Sequence, residues 1–373
     1  MSNEIVNSVM SSSLYKIVEQ ISKSNHGDDY KKSLIEYSQN LSSKNLPIIF
    51  DAYHLAYSIG IQPYRIINII KDRDHLYNTY RVRKKTGGHR WIMSPIEELK
   101  TIQTWIKINI LDKIQTHNSA NGFVKEKSIV TNAEKHINKE TILNIDLYRF
   151  FDTITEKRIY QLFKKLGYTN KLSYDLSRIL CVNPPKKYWK ELKKENKLKK
   201  KFIKMKPSIL PQGAPTSPII SNLLCIKLDE ILFKYCEKSH LSYTRYADDI
   251  TMSGDNKNMP ELKKIKSIIR HNGFTVNIKK IRFISKHKKQ TVTGITVNNG
   301  LFVDKKIIKE ISQELYYCIK YGYKSHLEYK FKKSKIKANY KDWLYGKICF
   351  VYSVEKEKGE SFFKKFNMID WNI

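Results

Sequence analysis

Acidic side chains are what this chain is short of. Aspartate and glutamate number 36 against 69 lysines and arginines, a formal net charge of +33. An AT-rich coding bias would enrich lysine, asparagine, isoleucine and tyrosine, yet it would not deplete acids, whose codons tolerate the same bias. So large a surplus calls for a polyanionic partner, because each neutralised phosphate releases counterions. Cysteine is scarce as well. The five residues, Cys181, Cys225, Cys236, Cys318 and Cys349, are scattered, odd in number and without CxxC spacing. That argues against a disulfide framework or a thiolate zinc site and for the reducing cytoplasm. No run approaches the ~18 consecutive apolar residues of a membrane span. The opening MSNEIVNSVMSSS carries neither the basic nor the apolar region of a secretory leader. No amphipathic anchor is evident, so nucleic acid is the expected polyanion rather than a membrane.

What is present suffices for packed domains. The 373 residues are 41% hydrophobic and 12% aromatic, which excludes a disordered or collagen-like chain. At ~150 residues per domain the length suggests two or three units, large enough to bury a core unaided. Residues 1–46 are polar with a weak helical pattern. Between Pro47 and Ile70 the apolar spacing is helical, and Gly60 with Pro63 divides it into two short helices. The stretch Tyr80–Ile92 places strand-prone residues around Thr86-Gly87-Gly88, a hairpin studded with cations. Residues 96–115 return to helix. TILNIDL (141–147) alternates, with Leu143, Ile145 and Leu147 on one face and Asn144 and Asp146 on the other. Residues 186–206 hold eleven lysines and two glutamates, which reads as a solvated loop or helix face. A strong helix is expected over 218–235, capped by Ser217 with Pro218 in its first turn. A hairpin follows at 241–254, short strands at 275–303, and a basic, tyrosine-rich helical region from Lys305 onward. No internal repeat is visible.

Two adjacent carboxylates mark the hairpin Tyr243-Thr244-Arg245-Tyr246-Ala247-Asp248-Asp249-Ile250. Aspartates are ordinary turn residues. Neighbouring like charges repel, however, and a hard cation turns that repulsion into attraction. A cation needs further oxygen ligands, and Asp146, ending its β-prone run, is the candidate third acid; the alternative is a strand-end aspartate that caps the next helix. Between the two sites lies Leu210-Pro211-Gln212-Gly213-Ala214-Pro215-Thr216-Ser217-Pro218, a stiff loop whose glycine lets backbone approach a ligand closely.

NIDLYRFFDTI, LPQGAPTSP and YADD occur in the order and spacing of reverse transcriptase palm motifs, and the chain resembles that family from about Pro47 onward. Two further segments resemble signatures of retron reverse transcriptases: Asn132-Ala133-Glu134-Lys135-His136 (Asn-Ala-x-x-His) and Val292-Thr293-Gly294 (Val-Thr-Gly). Trp343–Ile348 is similar to the family's thumb helix.

The resemblance implies an α+β right-hand polymerase fold. The fingers span 47–135. The palm, with a small antiparallel sheet, spans 136–303 and carries inserted finger helices and the 186–206 segment. A helical thumb spans 304–373. It implies RNA-directed DNA synthesis with two Mg2+ ions held by Asp146, Asp248, Asp249 and the Leu147 carbonyl. Arg90, with Lys84 or Lys85, grips the incoming deoxynucleoside triphosphate, and Gln212 and Gly213 position nucleotide and template. Phe151 (or its neighbour Phe150) excludes a ribose 2′-hydroxyl, and Lys280 or Lys279 approaches the leaving pyrophosphate as a proton donor. Asn132, His136, Val292, Thr293 and Gly294 are expected to contact RNA. The implied partner is a structured noncoding RNA, copied in part from an internal 2′-hydroxyl into branched single-stranded DNA (msDNA), with an accessory effector and a role in antiphage defence. Another class, a group II intron maturase or an abortive-infection polymerase, is the alternative. A non-catalytic RNA-binding scaffold is disfavoured because all three acids are present.

Overall fold

The computed structural model describes residues 14–83, 87–195, 198, 200–331 and 339–371. Lys84 and Lys85 lie outside the described residues. The chain groups into two compact units. The first is Met1–His117, Tyr148–Leu228 and Ile269–Thr275; the second is Asn118–Leu147, Asp229–Ile268 and Val276–Ile373. These are not contiguous spans. The palm range expected from sequence, 136–303, is divided between them because Tyr148–Leu228 packs with the N-terminal part of the chain.

In the first unit, Ala52–Ile59 and Pro63–Lys71 form the two short helices that Gly60 and Pro63 demand. Gly60 ends the first at φ +82°, a left-handed conformation that glycine adopts without strain. The cationic hairpin pairs β1 (Tyr77–Arg83) with β2 (His89–Pro95), setting Val82 opposite Arg90 and Arg81 opposite Trp91. Helices Glu97–Asn109, Glu156–Leu166 and Asn170–Leu180 supply the core beside it.

Of the two alternatives for the lysine-rich segment, helix holds over Lys186–Glu195 and Lys200–Met205. Tyr188, Trp189 and Leu192 are buried. Helix Ser217–Lys238 starts one residue earlier than expected, so Ser217 is inside it rather than capping it. Its hydroxyl donates to the Pro211 carbonyl at 2.5 Å, because the Pro-Gly loop folds back over the helix start.

In the second unit a four-stranded antiparallel sheet has the order β4 (Ser242–Tyr246), β5 (Asp249–Gly254), β3 (Thr141–Asp146), β6 (Arg282–Ser285). β3 is central and buried along most of its length, so its polar residues need partners. Asn144 finds them by accepting from the Thr251 hydroxyl (3.1 Å) and donating to the Thr291 carbonyl (3.0 Å). A small hairpin, β7 (Thr291–Val292) and β8 (Ile295–Thr296), packs Val292 and Ile295 with Ala133, Ile142 and Val297. Four helices follow: Lys305–Tyr321, Tyr323–Phe331, Tyr340–Val354 and Lys356–Asn367. They enclose a core in which buried Glu314 accepts from His326 Nε2 at 2.8 Å and from the Tyr340 hydroxyl. Among the described residues no helix is long and apolar enough to cross a membrane.

Candidate active site

The two acidic motifs meet on the sheet of the second unit. Antiparallel register sets Asp146, the last residue of β3, opposite Asp249, the first of β5. The tip joins the strand end through the Leu147 amide, which donates to the Asp248 carbonyl at 2.8 Å. The turn is tight, with Ala247 at φ +55°, a conformation uncommon for a residue with a Cβ.

A fully buried ion pair holds that turn in place. The Arg245 guanidinium donates from Nε and NH2 to the two oxygens of Asp229, at 2.8 and 2.6 Å, and from NH1 to the Ala247 carbonyl at 3.0 Å. The Tyr243 hydroxyl adds a bond to Asp229 at 2.7 Å. The bidentate geometry satisfies charges that would otherwise be costly to bury.

Asp146 is nearly enclosed. Asn277 Nδ2 donates to its Oδ1 at 2.8 Å and Lys280 Nζ to its Oδ2 at 2.7 Å, while the Asn277 amide donates to the Asp146 carbonyl. Of the two neighbouring lysines, Lys280 is therefore the one that reaches the acids. Its ammonium is held above its usual range: desolvation works against the charge, but Asp146, Asp248 and Asp249 outweigh it. The Asp249 carboxyl is pushed up to about 6, first by desolvation among the surrounding protein and then by the Asp248 and Asp146 charges, with Lys280 opposing. Oxygen donors in this arrangement repel one another, and a divalent ion would reverse that repulsion. Among the described residues, no three His, Cys, Asp or Glu side chains are preassembled around one metal position. Asp146 is instead satisfied by Lys280 and Asn277.

A cleft of about 390 Å³ runs from Asp146, Asp249 and Lys280 past Arg282 to Thr293 and Gly294. The Thr293-Gly294 pair is the two-residue loop between β7 and β8, and both residues have positive φ, +48° and +87°. That is the type I′ pattern favoured in hairpins. A threonine there is unusual, and it is tied down: its hydroxyl donates to the Ile129 carbonyl at 3.2 Å, and Asn132 Nδ2 lies 3.5 Å away.

The five residues expected to touch RNA therefore separate. Thr293 and Gly294 line the cleft, whereas Asn132, His136 and Val292 are buried. His136 is fully enclosed, with Nδ1 on the Ser253 hydroxyl (2.6 Å) and Nε2 on the Thr244 hydroxyl (2.7 Å). Burial pushes its imidazole pKa down to about 3. In this structure these three pack inward: their atoms tie the sheet to helix Ile129–Glu134 and the hairpin, and only Thr293 and Gly294 of the five line the cleft.

Of the residues expected to bind nucleotide, Arg90, Phe151, Gln212 and Gly213 lie in the first unit, while Lys280 stands beside Asp146 in the second. Arg90 is exposed on β2. Two residues on, Ile92 packs against the Pro-Gly loop, and the Met93 amide donates to the Gln212 carbonyl at 2.8 Å. Gly213, at φ +125°, would be strained as any other residue and crowded as well: a Cβ would sit 3.0 Å from Ile92 Cγ2 and 3.3 Å from the Met93 carbonyl oxygen. Phe150 is buried against Phe274, leaving Phe151 as the partly exposed ring.

Residues 82–297 match the reverse transcriptase (RNA-dependent DNA polymerase) family. The chain is 32% identical over 291 residues to retron Ec86 reverse transcriptase of Escherichia coli, covering 76% of this chain and 83% of that protein. It is 30% identical over 301 residues to retron Ec83 reverse transcriptase of the same species, covering 78% and 86%. Against retron Mx162 reverse transcriptase of Myxococcus xanthus identity is 35% over 234 residues, 60% of this chain and 47% of that one. Among solved structures, telomerase from Candida albicans with a fragment of telomeric RNA is similar at TM-score 0.43 and 13% identity, over 77% of this chain and 56% of that chain. On the sequence matches, the chain belongs to the reverse transcriptase family as a retron-type RNA-directed DNA polymerase of right-hand α+β fold.

Proposed function

We propose that the enzyme copies part of a structured noncoding RNA into single-stranded DNA, beginning at an RNA 2′-hydroxyl, and that the RNA–DNA product works with an accessory effector in antiphage defence. One observation carries this reading: the acids Asp146 and Asp249 share a cleft with the Thr293-Gly294 turn of the retron signature. A catalytic end and an RNA-facing end thus line one cavity.

The donor set suits Mg2+, a hard cation that takes carboxylate oxygens and keeps other positions for water and phosphate. Asp146, Asp248 and Asp249, with the Leu147 carbonyl, are the residues to hold two such ions. Bound there, they supply charge neutralisation at the attacking and leaving oxygens of phosphoryl transfer. The chain's own groups do the rest. Lys280 releases Asp146 and offers its proton to the leaving pyrophosphate. Arg90, with Lys84, grips the triphosphate, Gln212 and Gly213 align nucleotide with template, and Phe151 excludes the 2′-hydroxyl. Thr293 and Gly294 take the RNA at the far end of the cleft.

Extension of the copurifying RNA with Mg2+ and deoxynucleotides tests the reading. The expected product is DNA joined to RNA by a 2′–5′ branch, and Asp248→Asn with Asp249→Asn lowers its yield roughly a thousandfold. Full activity in that double variant, or DNA made without a template, overturns it.

A further inference from the structure

The lysine-rich helix Lys186–Glu195 is bound to the body of the first unit through the only two acids in the 186–206 segment. Glu191 accepts from Arg81 NH1 on β1 at 3.1 Å and from Trp91 Nε1 on β2 at 2.8 Å. One helical turn on, Glu195 accepts from Arg149 NH2 at 2.5 Å, from Arg149 Nε at 3.1 Å and from the Tyr148 hydroxyl. Tyr188, on the same face, meets both ends. Its ring packs edge-on against Trp91 (6.1 Å between centroids) and under the Arg149 guanidinium (5.6 Å). Arg149 itself sits at φ +49° and also pairs with Asp152 at 2.8 Å.

Each anchor adjoins a residue assigned above to the incoming nucleotide. Trp91 follows Arg90 on β2, and the next residues of that strand hold Gln212 and Gly213. Arg149 and Asp152 bracket Phe151 in sequence, and their pair closes the short turn that carries its ring. We propose that helix Lys186–Glu195 is a brace that fixes the triphosphate-gripping strand and the sugar-sensing phenylalanine in one arrangement, with Glu191 and Glu195 as positioning residues for nucleotide selection. The proposal rests on the nucleotide roles assigned to Arg90 and Phe151. Neither glutamate touches the nucleotide; each acts through the group it holds. Removing either carboxylate leaves its donors without that partner, which frees the turn or strand they belong to.

The test is steady-state extension on an RNA template with Glu191→Ala, Glu195→Ala and the double variant, measuring KM and kcat for dTTP and the ratio of kcat/KM for dTTP over UTP. The expected result is a KM raised roughly tenfold in the double variant, kcat changed far less, and a selectivity ratio lowered several-fold. Glu191→Gln, whose amide oxygen still accepts from Trp91, recovers part of the loss. Thermal unfolding of each variant is followed in parallel. KM and selectivity unchanged in the double variant overturn the brace, and so does a loss of kcat that merely tracks loss of folded protein. Phe151→Ala separates the two readings. If it lowers selectivity while the glutamate variants do not, the brace fails and the nucleotide assignment stands. If it too leaves selectivity unchanged, the assignment itself fails.

Discussion

Asp229 lies 16 residues before Arg245, in a helix that otherwise supplies core, and no motif marks it; yet its carboxylate fixes the arginine that holds the Ala247 carbonyl. Replacing one partner of a fully buried pair strands the other charge, so Asp229→Asn should cost ~3–5 kcal/mol in urea unfolding. Asp229→Leu with Arg245→Met removes both charges and should recover most of that stability, since apolar replacements of buried pairs are often neutral. The same double variant loses the bond to Ala247, so it should fold and still extend primers poorly. Wild-type activity in it would show that the turn needs no such support. His136 gives a pH signature. Its folded-state pKa lies near 3, below the ordinary 6.5, so the unfolded chain binds a proton that the folded chain refuses. Stability is then whole above pH 6.5 and falls on acidification, by about 1.4 kcal/mol per pH unit in the window down to the folded value. His136→Asn should flatten that slope between pH 6.5 and 5 in chemical unfolding, and an unaltered slope would assign it to other groups. At this scale the sequence is legible where residue type and local pattern coincide, as where Asp146 at the end of β3 faces Asp249 at the start of β5. It misleads where a signature residue works from inside: His136 is bonded on both ring nitrogens by hydroxyls from β4 and β5, strands more than a hundred residues away.

Helices and hairpins were readable from periodicity and punctuation, because Gly60, Pro63 and the Gly87-Gly88 pair act locally. The lysine-rich segment was not, since counting its lysines hides its pattern. Tyr188, Glu191, Leu192 and Glu195 recur at helical spacing and form the inward face. The acids sit on that face and are spent in docking, which leaves Lys186, Lys187, Lys190, Lys193 and Lys194 exposed. No ion pair is found for any of these five among the described residues. Unneutralised lysines along an anchored helix are suited to phosphate. Lys186, Lys190, Lys193 and Lys194 changed together to alanine should lower the slope of log affinity against log salt by ~0.7–0.9 for each phosphate that is no longer neutralised. Fluorescence anisotropy with the copurifying RNA across a salt series reads this directly. An unchanged slope would mean that the face is only solvated. The β7–β8 hairpin shows the opposite case. Val-Thr-Gly was legible as a signature, while its physical reason, a type I′ loop with threonine held by Ile129 and Asn132, depends on partners 164 and 161 residues away in sequence.

Over the whole chain, a surplus of 33 positive charges acts in two directions. Like charges packed into a folded protein repel, and the unfolded chain relieves that repulsion by spreading them apart. Salt screens the repulsion over about 10 Å at 0.1 M, so the free enzyme should become more stable as salt rises through that range. Bound RNA reverses the sign of the local field. It stabilises the fold in proportion to RT ln(1 + [RNA]/Kd), and Kd itself weakens steeply with salt because counterions are no longer released into a dilute medium. Thermal unfolding from about 50 to 500 mM potassium chloride should therefore give a midpoint that climbs by a few degrees for the free protein and falls for the protein with RNA, the two curves converging at high salt. The crossing of signs is the diagnostic. A neutral-surface protein would give two flat lines, and a protein whose lysines were internally neutralised would give a free-state midpoint that falls, because salt would then screen attraction. A rising free-state curve with an RNA-bound curve that also rises would mean that the bound RNA touches few of the cations. The surplus would then serve solubility, leaving recognition to the cleft between the acids and Thr293-Gly294.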